Sequence, residues 1–429
     1  MDKKLKFVIK NRFCNGCGTC VSLCPCNALE LSLDSRKEMY LPKLNEERCI
    51  NCSICCQVCP ALDINSEILK ETSGNTKKNH LIGDYLDSYA GYSTNKKIRY
   101  DSSSGGLVTQ LLLFALESNL IDGALVTRMR RDDPLKPEPF VATTKNEIVE
   151  ASKSKYCPVP CNLALSEILK KNGRFAVVGL PCHILGARKA ELVNNKLRER
   201  IVLHLGLFCS HTPTYRATEL LLQRMNIRKD TIVKLDYRGE GWPGYLKVVL
   251  KDGTTNSMPM PICWDFLGLD FLGSKGCLAC RDSLNEFADI SFGDAWLPEY
   301  SKDNLGTSIL VVRSNTGMKL LETARCAKRI ELSELSPEKV IQSQLDVLYS
   351  KKKGFIPRNK FLKYEMTSNG TLKLGVIDYL SAIFLCLNQY VLSKPFFDEF
   401  LKKVPMEALH AYYFVPNRLR HRMLNSLTK

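Results

Sequence analysis

Ten of the chain's 19 cysteines fall between Cys14 and Cys59, and their order is what gives them chemistry. Cys14-Asn-Gly-Cys17-Gly-Thr-Cys20-Val-Ser-Leu-Cys24-Pro25 and Cys49-Ile-Asn-Cys52-Ser-Ile-Cys55-Cys56-Gln-Val-Cys59-Pro60 both follow the CxxCxxCxxxCP spacing of bacterial ferredoxins. Three closely spaced thiolates wrap one face of a 4Fe-4S cubane, and the fourth, after a three-residue gap and a proline turn, reaches the other cluster. The spacing therefore predicts one cluster on Cys14, Cys17, Cys20 and Cys59, and a second on Cys49, Cys52, Cys55 and Cys24. Cys26 and Cys56 are left over and read as buried small hydrophobes. Structural zinc fits the CxxC pairs but leaves the two cysteines before proline without a role.

A looser set follows: Cys182 in Gly179-Leu-Pro-Cys182-His, Cys209 in Gly206-Leu-Phe-Cys209-Ser, and the pair Cys277-Leu-Ala-Cys280. Cys182 and Cys209 come just after the apolar runs Phe175 to Gly179 and Ile201 to Phe208, where parallel strands would deliver both thiols to one edge of a sheet. Four ligands suit a third 4Fe-4S cluster; free cysteines or a zinc site are the alternatives. Cys157 and Cys161 read as inert thiols, with a redox pair or substitute ligands as the other readings, and Cys263, Cys326 and Cys386 as packing residues.

An anion site is indicated more softly. Ser102-Ser103-Ser104-Gly105-Gly106 runs into a predicted helix, so small residues let backbone N–H groups approach a phosphate, although a plain helix cap has the same composition. Lys153, Ser154, Lys155 and Tyr156 add two cations and an aromatic ring that could meet a pyrophosphate and an isoalloxazine or adenine. Arg238 and Lys247 are candidate cations for an acidic coenzyme tail. No GxGxxG follows a strand and no P-loop is present, so ordinary nicotinamide binding and P-loop chemistry are unsupported. No general acid or base stands out, and the catalytic residues are left unassigned.

These residues need elements to hold them. The 429 residues, 45% hydrophobic and 25% charged, suit a globular chain of two or three domains. We divide it into a two-cluster ferredoxin domain (1–65), a linker (66–85), a flavin and 4Fe-4S body (86–365) and a helical basic extension (366–429). The body reads as α+β or α/β: helices near Leu107–Leu116 and Gly317–Lys328, strands at Ala124–Met129, Arg174–Val178, Arg200–Leu207, Asp289–Phe292 and Ser308–Arg313, and a β-meander over Thr231–Met260 turning at Asp252-Gly253. Gly375–Leu392 is apolar but interrupted by Asp378, Asn388 and Gln389, as suits a buried or interfacial helix rather than a membrane span. Ala408–Lys429 carries four Lys/Arg and no acid, a composition suited to a solvated helix, to anionic lipid or to an acidic partner. The first residues lack the apolar stretch of a signal peptide, and thiolate ligands suit a reducing, cytoplasmic setting, with the inner membrane face as a peripheral option. The formal charge of +16 suggests nucleic acid at first sight. Three clusters at about −2 each and a flavin dinucleotide at about −2 would bring it to roughly +8, and the basic residues are dispersed without a recognised nucleic-acid module, so nucleic acid is not expected.

Taken together the motifs resemble the beta subunit of coenzyme F420-reducing hydrogenase and related dehydrogenases, F420 being a deazaflavin coenzyme. The resemblance spans roughly Asp87 to Arg329. It is carried by Ser103–Gly106, Asp133–Pro139, Ser154-Lys-Tyr156, Val178–Cys182-His, Gly206–Cys209, Tyr237–Pro243 and Asp289–Trp296. It implies a flavoprotein holding FAD and a 4Fe-4S cluster in the body, and supports Cys182, Cys209, Cys277 and Cys280 as ligands. It likewise supports Ser103–Gly106 and Lys153–Tyr156 as flavin contacts. The implied activity is electron transfer between coenzyme F420 as substrate and the clusters, with a soluble ferredoxin or another redox subunit as partner. The alternatives are a relay subunit of a larger complex and a ferredoxin-dependent reductase of another substrate.

Overall fold

Short apolar runs dominate the middle of the chain, and in the computed structural model they form strands buried on both faces. The structure describes residues 3–34, 39–62, 76–363, 374–392, 394–405 and 407–412. The strands are β1 (Leu29–Asp34), β2 (Met39–Leu44), β3 (Asp87–Ser93), β4 (Gly123–Met129), β5 (Pro137–Ala142), β6 (Phe175–Gly179), β7 (Ile201–Leu207), β8 (Ile232–Asp236), β9 (Tyr245–Leu250), β10 (Thr255–Pro259), β11 (Ile290–Asp294), β12 (Ser308–Val312) and β13 (Ile330–Glu334). Eight of them make one mixed sheet in the order β13-β3-β12-β11-β7-β6-β4-β5. Its centre, β4, β6, β7 and β11, is parallel, and antiparallel pairs extend it on both sides.

Alternation along each strand feeds two cores. Ala124, Val126, Ala176, Leu203 and Leu205 face the helices Leu107–Glu117 and Asn315–Cys326. Leu125, Val177 and Ile201 face Leu165–Lys170 and Pro181–Val193 on the other side. A third core joins the antiparallel meander β10-β9-β8 to Tyr215–Arg224 and Met260–Leu267. The mixed α/β architecture and the expected helices, strands and meander are present; β3, β5, β13 and the β1–β2 pair were not anticipated.

The cysteine-rich head does not stand apart from the body. Asn162 donates its N–H to the Cys17 carbonyl (2.9 Å) and its Nδ2 to Thr19 Oγ1 (2.8 Å). Buried Lys189 donates to the carbonyls of Cys59 (2.5 Å) and Leu62 (2.9 Å). Phe13, Cys59, Ala61 and Ala279 share one small core, so head and body pack directly. Of the expected linker, residues 66–75 lie outside the described residues, and Lys77 pairs with Tyr85 as a β-bridge.

The helix Val376–Val391 packs on Phe355–Leu362 and Asp270–Leu272. The Arg216 guanidinium donates to the carbonyls of Leu392 (3.0 Å) and Lys394 (3.3 Å), and Arg224 to Leu401 (2.8 Å), which ties this extension to the third core. The helix is only half buried. Of the basic segment Ala408–Lys429, residues 413–429 lie outside the described residues.

Candidate redox centre

The head brings Cys14, Cys17, Cys20 and Cys59 close enough for their thiols to act on one another. Burial pushes the Cys14 thiol up, and the proximity of Cys59 and Cys17 pushes it further. Cys20 is raised by burial and then by Cys17, Cys14 and Cys59, and burial with Cys17 lifts Cys59 to about 11. Four such thiols ionise together only around a cation, which is the chemistry of an iron core. The Gly16 N–H already points at Cys14 Sγ (3.4 Å), as befits a thiolate acceptor.

Cys24, Cys49, Cys52 and Cys55 line a cavity of about 480 Å³ together with Cys26, Lys3 and Lys4. The Ala28 N–H reaches Cys24 Sγ at 3.2 Å. Among the described residues no three His, Cys, Asp or Glu side chains are placed to hold a single metal ion, and the space between these thiols suits a polynuclear group. Cys26 and Cys56 are not buried as expected: both are partly exposed, Cys26 in the turn after Cys24-Pro25 and Cys56 in the short helix Ile54–Gln57 beside Cys55. Cys26 Sγ lies 3.8 Å from Cys24 Sγ.

In the body the parallel pairing of β6 with β7 sets Gly179 beside Gly206, and the chain then delivers Cys182 and Cys209 beyond the carboxyl ends of the two strands. Cys277 and Cys280 meet them there from the turn after Ser274. Burial raises the Cys182 thiol strongly, and Cys17, Cys209, Cys280 and Cys277 add to the rise. Cys17 is a head residue, so the first head set and the body set are electrostatic neighbours. The Thr212 N–H points at Cys277 Sγ (3.3 Å). Lys351, only 3% exposed, donates to the Cys277 carbonyl (2.7 Å) and opposes the rise of Cys209 and Cys277. The four thiols and their buried cation fit an anionic iron–sulfur group.

A cavity of about 330 Å³ opens at the carboxyl ends of β4, β6, β7 and β11. Ser103, Ser104, Gly106, Lys153, Ser154, Lys155, Tyr156 and Arg238 all line it, and so do Cys209 and His211. Gly106 adopts φ 73°, which opens the helix Leu107–Glu117 from a left-handed residue. Gly105 sits behind the wall, where a Cβ would lie 2.5 Å from the Gly91 carbonyl oxygen, and its N–H donates to Ser308 Oγ (3.0 Å). The Ser154 N–H donates to Ser103 Oγ (2.8 Å), locking the two candidate segments together. Ser102 Oγ is buried without a partner in the same wall, an acceptor and donor that a bound ligand could satisfy.

The two lysines serve differently from a pair of free cations. Lys153 Nζ pairs with Asp236 (2.8 Å). Lys155 Nζ donates to the carbonyls of Ala151, Ser152 and Lys153 (2.6, 2.6 and 2.9 Å), and burial lowers it to about 7. Both shape the loop, Lys153 through its ion pair and Lys155 through three backbone carbonyls. Arg238 forms a two-pronged pair with Asp294 (2.9 and 2.9 Å) and donates to Tyr156 Oη (3.3 Å). Lys247 pairs with Glu240 (2.6 Å).

Cys157 and Cys161 are separately buried, with burial pushing both thiols up to about 12, and Cys161 lines the cavity wall. Cys263 is buried as expected, Cys386 partly so, and Cys326 is exposed rather than packed. Lys351 and Asp294 were not singled out from sequence. Lys351 sits in a Lys-Lys-Lys run that resembles a solvated stretch, and Asp294 lies inside the Asp289–Trp296 motif without a mark of its own.

Comparison with known proteins bears on this arrangement. Residues 88–166 match the N-terminal, and 172–338 the C-terminal, family model of the coenzyme F420 hydrogenase/dehydrogenase beta subunit, and residues 13–62 match a 4Fe-4S dicluster domain. The chain belongs to this beta-subunit family. It is thus a redox subunit of an oxidoreductase family, with an electron-transferring 4Fe-4S domain at its head. It is 26% identical over 67% of its length to the coenzyme F420 hydrogenase subunit beta of Methanothermobacter thermautotrophicus, covering 98% of that protein. It is 26% identical to one of the F(420)H(2) dehydrogenase subunits of Methanosarcina mazei, over 76% of this chain and 86% of the other. Against a coenzyme F420-dependent sulfite reductase of Methanocaldococcus jannaschii it is again 26% identical, over 85% of this chain and 54% of that one. A chain of the F420-reducing NiFe hydrogenase complex of Methanosarcina barkeri shares the fold, with a TM-score of 0.54, 23% identity, and coverage of 68% of this chain and 99% of that one.

Proposed function

We propose that this chain is an iron–sulfur flavoprotein oxidoreductase that moves electrons between a hydride-carrying coenzyme and ferredoxin-type clusters through FAD. One observation carries the reading: a single cavity is walled by the candidate flavin segments on one side and by the cluster cysteine Cys209 on the other. Bound FAD would supply the conversion between an electron pair, as a hydride donor delivers it, and the single electrons that a 4Fe-4S cluster accepts.

The chain's own residues supply the rest. Gly106 and the N-terminus of the helix it caps offer backbone N–H groups to a phosphate, with Lys153 and Lys155 behind them. Tyr156, held by Arg238 through its hydroxyl, lines the cavity. Cys182, Cys209, Cys277 and Cys280 would hold the third cluster, next to the head set containing Cys17. We take coenzyme F420 as the hydride donor, a choice the relatives' names support, and a soluble ferredoxin or another redox subunit in the cytoplasm as the partner. The C-terminal extension offers a contact with an acidic partner or with the inner membrane face; no helix among the described residues is long and apolar enough to cross a membrane.

Anaerobic purification of the full chain with iron, sulfide and flavin quantified, followed by mixing with reduced coenzyme F420, tests the reading. About twelve irons, one FAD and rapid bleaching of the flavin band are expected. About eight irons would remove the body cluster, and absence of flavin would overturn the reading. Full cofactors without bleaching would favour a relay subunit or another reductant.

A further inference from the structure

The helix Val376–Val391 buries Asp378, Ala382 and Leu385 and leaves a broad apolar arc exposed. Its polar residues face the protein: Asp378 accepts from Tyr349 Oη and the Gly375 N–H (2.7 Å) and pairs with Lys353 (3.3 Å). Gln389 Nε2 donates to the Gly273 carbonyl (3.1 Å), and Asn388 Nδ2 to Tyr412 Oη. Apart from Ala382 and Leu385, most of its large apolar residues face outward. Ile377, Leu380, Ile383, Phe384, Leu387 and Tyr390 lie on one arc and are between 37% and 69% exposed. Ten of the 23 large exposed apolar side chains found among the described residues fall between Val376 and Phe400. A surface helix ordinarily has the opposite sense, and a patch of this kind marks an interaction site. The buried Asp378 and Gln389 contacts fix the rotation, so the helix cannot turn its apolar arc inward without stranding them.

We propose that this arc lies in the surface of an anionic membrane, in the plane of the bilayer. This gives the peripheral contact proposed above a defined face, and it depends on neither flavin nor deazaflavin. The arc presents no polar side chain that would fix a register with a protein partner. Charge complementarity points the same way: from Lys394 to the C-terminus there are seven Lys/Arg against three acids, Asp398, Glu399 and Glu407. Lys394 stands 4.8 Å from the Tyr390 ring at the end of the arc, an aromatic and cationic pair suited to a headgroup layer. Phe396 and Phe400 extend the apolar strip beyond it, and Lys403 is exposed nearby. The segment also lies beyond residue 338, where the family match ends, so the arc is no part of the shared body.

Flotation of the full, cluster-loaded chain with vesicles of phosphatidylcholine alone, and of phosphatidylcholine with phosphatidylglycerol at about three to one, tests the proposal. The wild type is expected to float with the anionic vesicles, at least tenfold more than with the neutral ones, and to be released by salt. L380S/F384S/L387S should lose at least tenfold of that binding with iron content unchanged, and K394Q/K402Q/K403Q should weaken it while retaining every apolar contact. Wild type remaining with the soluble fraction on both vesicles would overturn the proposal. So would a triple apolar variant that binds as before, or one whose only change is from dimer to monomer, which would assign the arc to a second copy of the chain. Iron and flavin content, read on the same samples, separates failure of the redox reading from failure of this one.

Discussion

Lys351 has the smallest footprint and the clearest consequence. A cation that is 3% exposed and bonded to the carbonyl of one candidate ligand favours the electron-rich state of whatever those thiols hold. Replacing it, Lys351→Gln, should leave the iron content in place and lower the midpoint of the body cluster, with at least a tenfold fall in the reduced-to-oxidised ratio at fixed potential, or about 59 mV. A potentiometric titration followed by EPR reads this directly, and an unchanged midpoint would remove the tuning role. Arg238 answers to a different measurement. It is 2% exposed against an Asp294 that accepts both prongs, so Arg238→Met strips a largely buried carboxylate of its ion pair and leaves it only the Trp242 Nε1 bond, at a cost of about 3 kcal/mol. Weaker retention of FAD on gel filtration and a lower unfolding midpoint are expected; unchanged flavin content would argue that Arg238 does not support the cavity. Both residues illustrate what sequence could not reveal. A lysine in a basic run and an arginine near a strand end look solvated until the fold buries them, whereas the head cysteines stand out by their spacing alone.

The parallel pair β6 and β7 shows how far periodicity reaches. Two apolar runs ending in Gly179-Leu-Pro-Cys182 and Leu207-Phe-Cys209 were enough to place two thiols at one sheet edge, since parallel strands must end on the same side. The edge strands β5 and β13 were not visible. Pro137-Glu-Pro-Phe-Val-Ala142 carries two prolines, and β13 is largely polar, so local propensity opposes what antiparallel pairing with β4 and β3 imposes. Beneath β7 lies a charged cluster that no pattern announced: His204 sits between Glu191 (2.6 Å) and Asp289 (3.3 Å), with Arg188 against both acids. Burial and Arg188 disfavour the imidazolium, yet Glu191 and Asp289 raise it above its ordinary value. Burial would raise Asp289, but Arg188, His204 and Ser314 hold it below the carboxylate range. The Asp289 contribution is present above an unfolded value of about 3.9 and is lost as pH falls through the lower folded one. The His204 contribution is complete below about 6.5 and is lost as pH rises through the higher folded one. Thermal unfolding of His204→Gln against wild type should therefore show its largest deficit near pH 5–6 and a shrinking one toward pH 9. A deficit that grows with pH would mean that the imidazole is neutral in the folded chain.

Across the whole molecule the head packs directly on the body, and under the proposed function it continues the body's electron path. Lys189 and Asn162 hold the backbone carbonyls of Cys59 and Cys17 and the hydroxyl of Thr19, so the first head set is fixed against Cys182. Cys20 in turn senses Cys55 of the second set, whose cavity includes the exposed Cys52. The order runs from the cavity beside Cys209, through the body thiols and the first head set, to the second set at the surface. What was legible in sequence was the grouping of the head thiols by their spacing; how the head and body thiol sets lie relative to one another came only from the packing of head on body, which long-range contacts decide. The most direct test gives reduced coenzyme F420 to the anaerobic, cofactor-loaded chain and follows the EPR signals of the reduced clusters, in wild type and in Cys182→Ser. In the wild type the head clusters should become reduced after the flavin. In Cys182→Ser the flavin should still bleach while the head clusters stay oxidised, although dithionite reduces them. Head clusters reduced as quickly in Cys182→Ser as in the wild type would contradict a path through the body thiols.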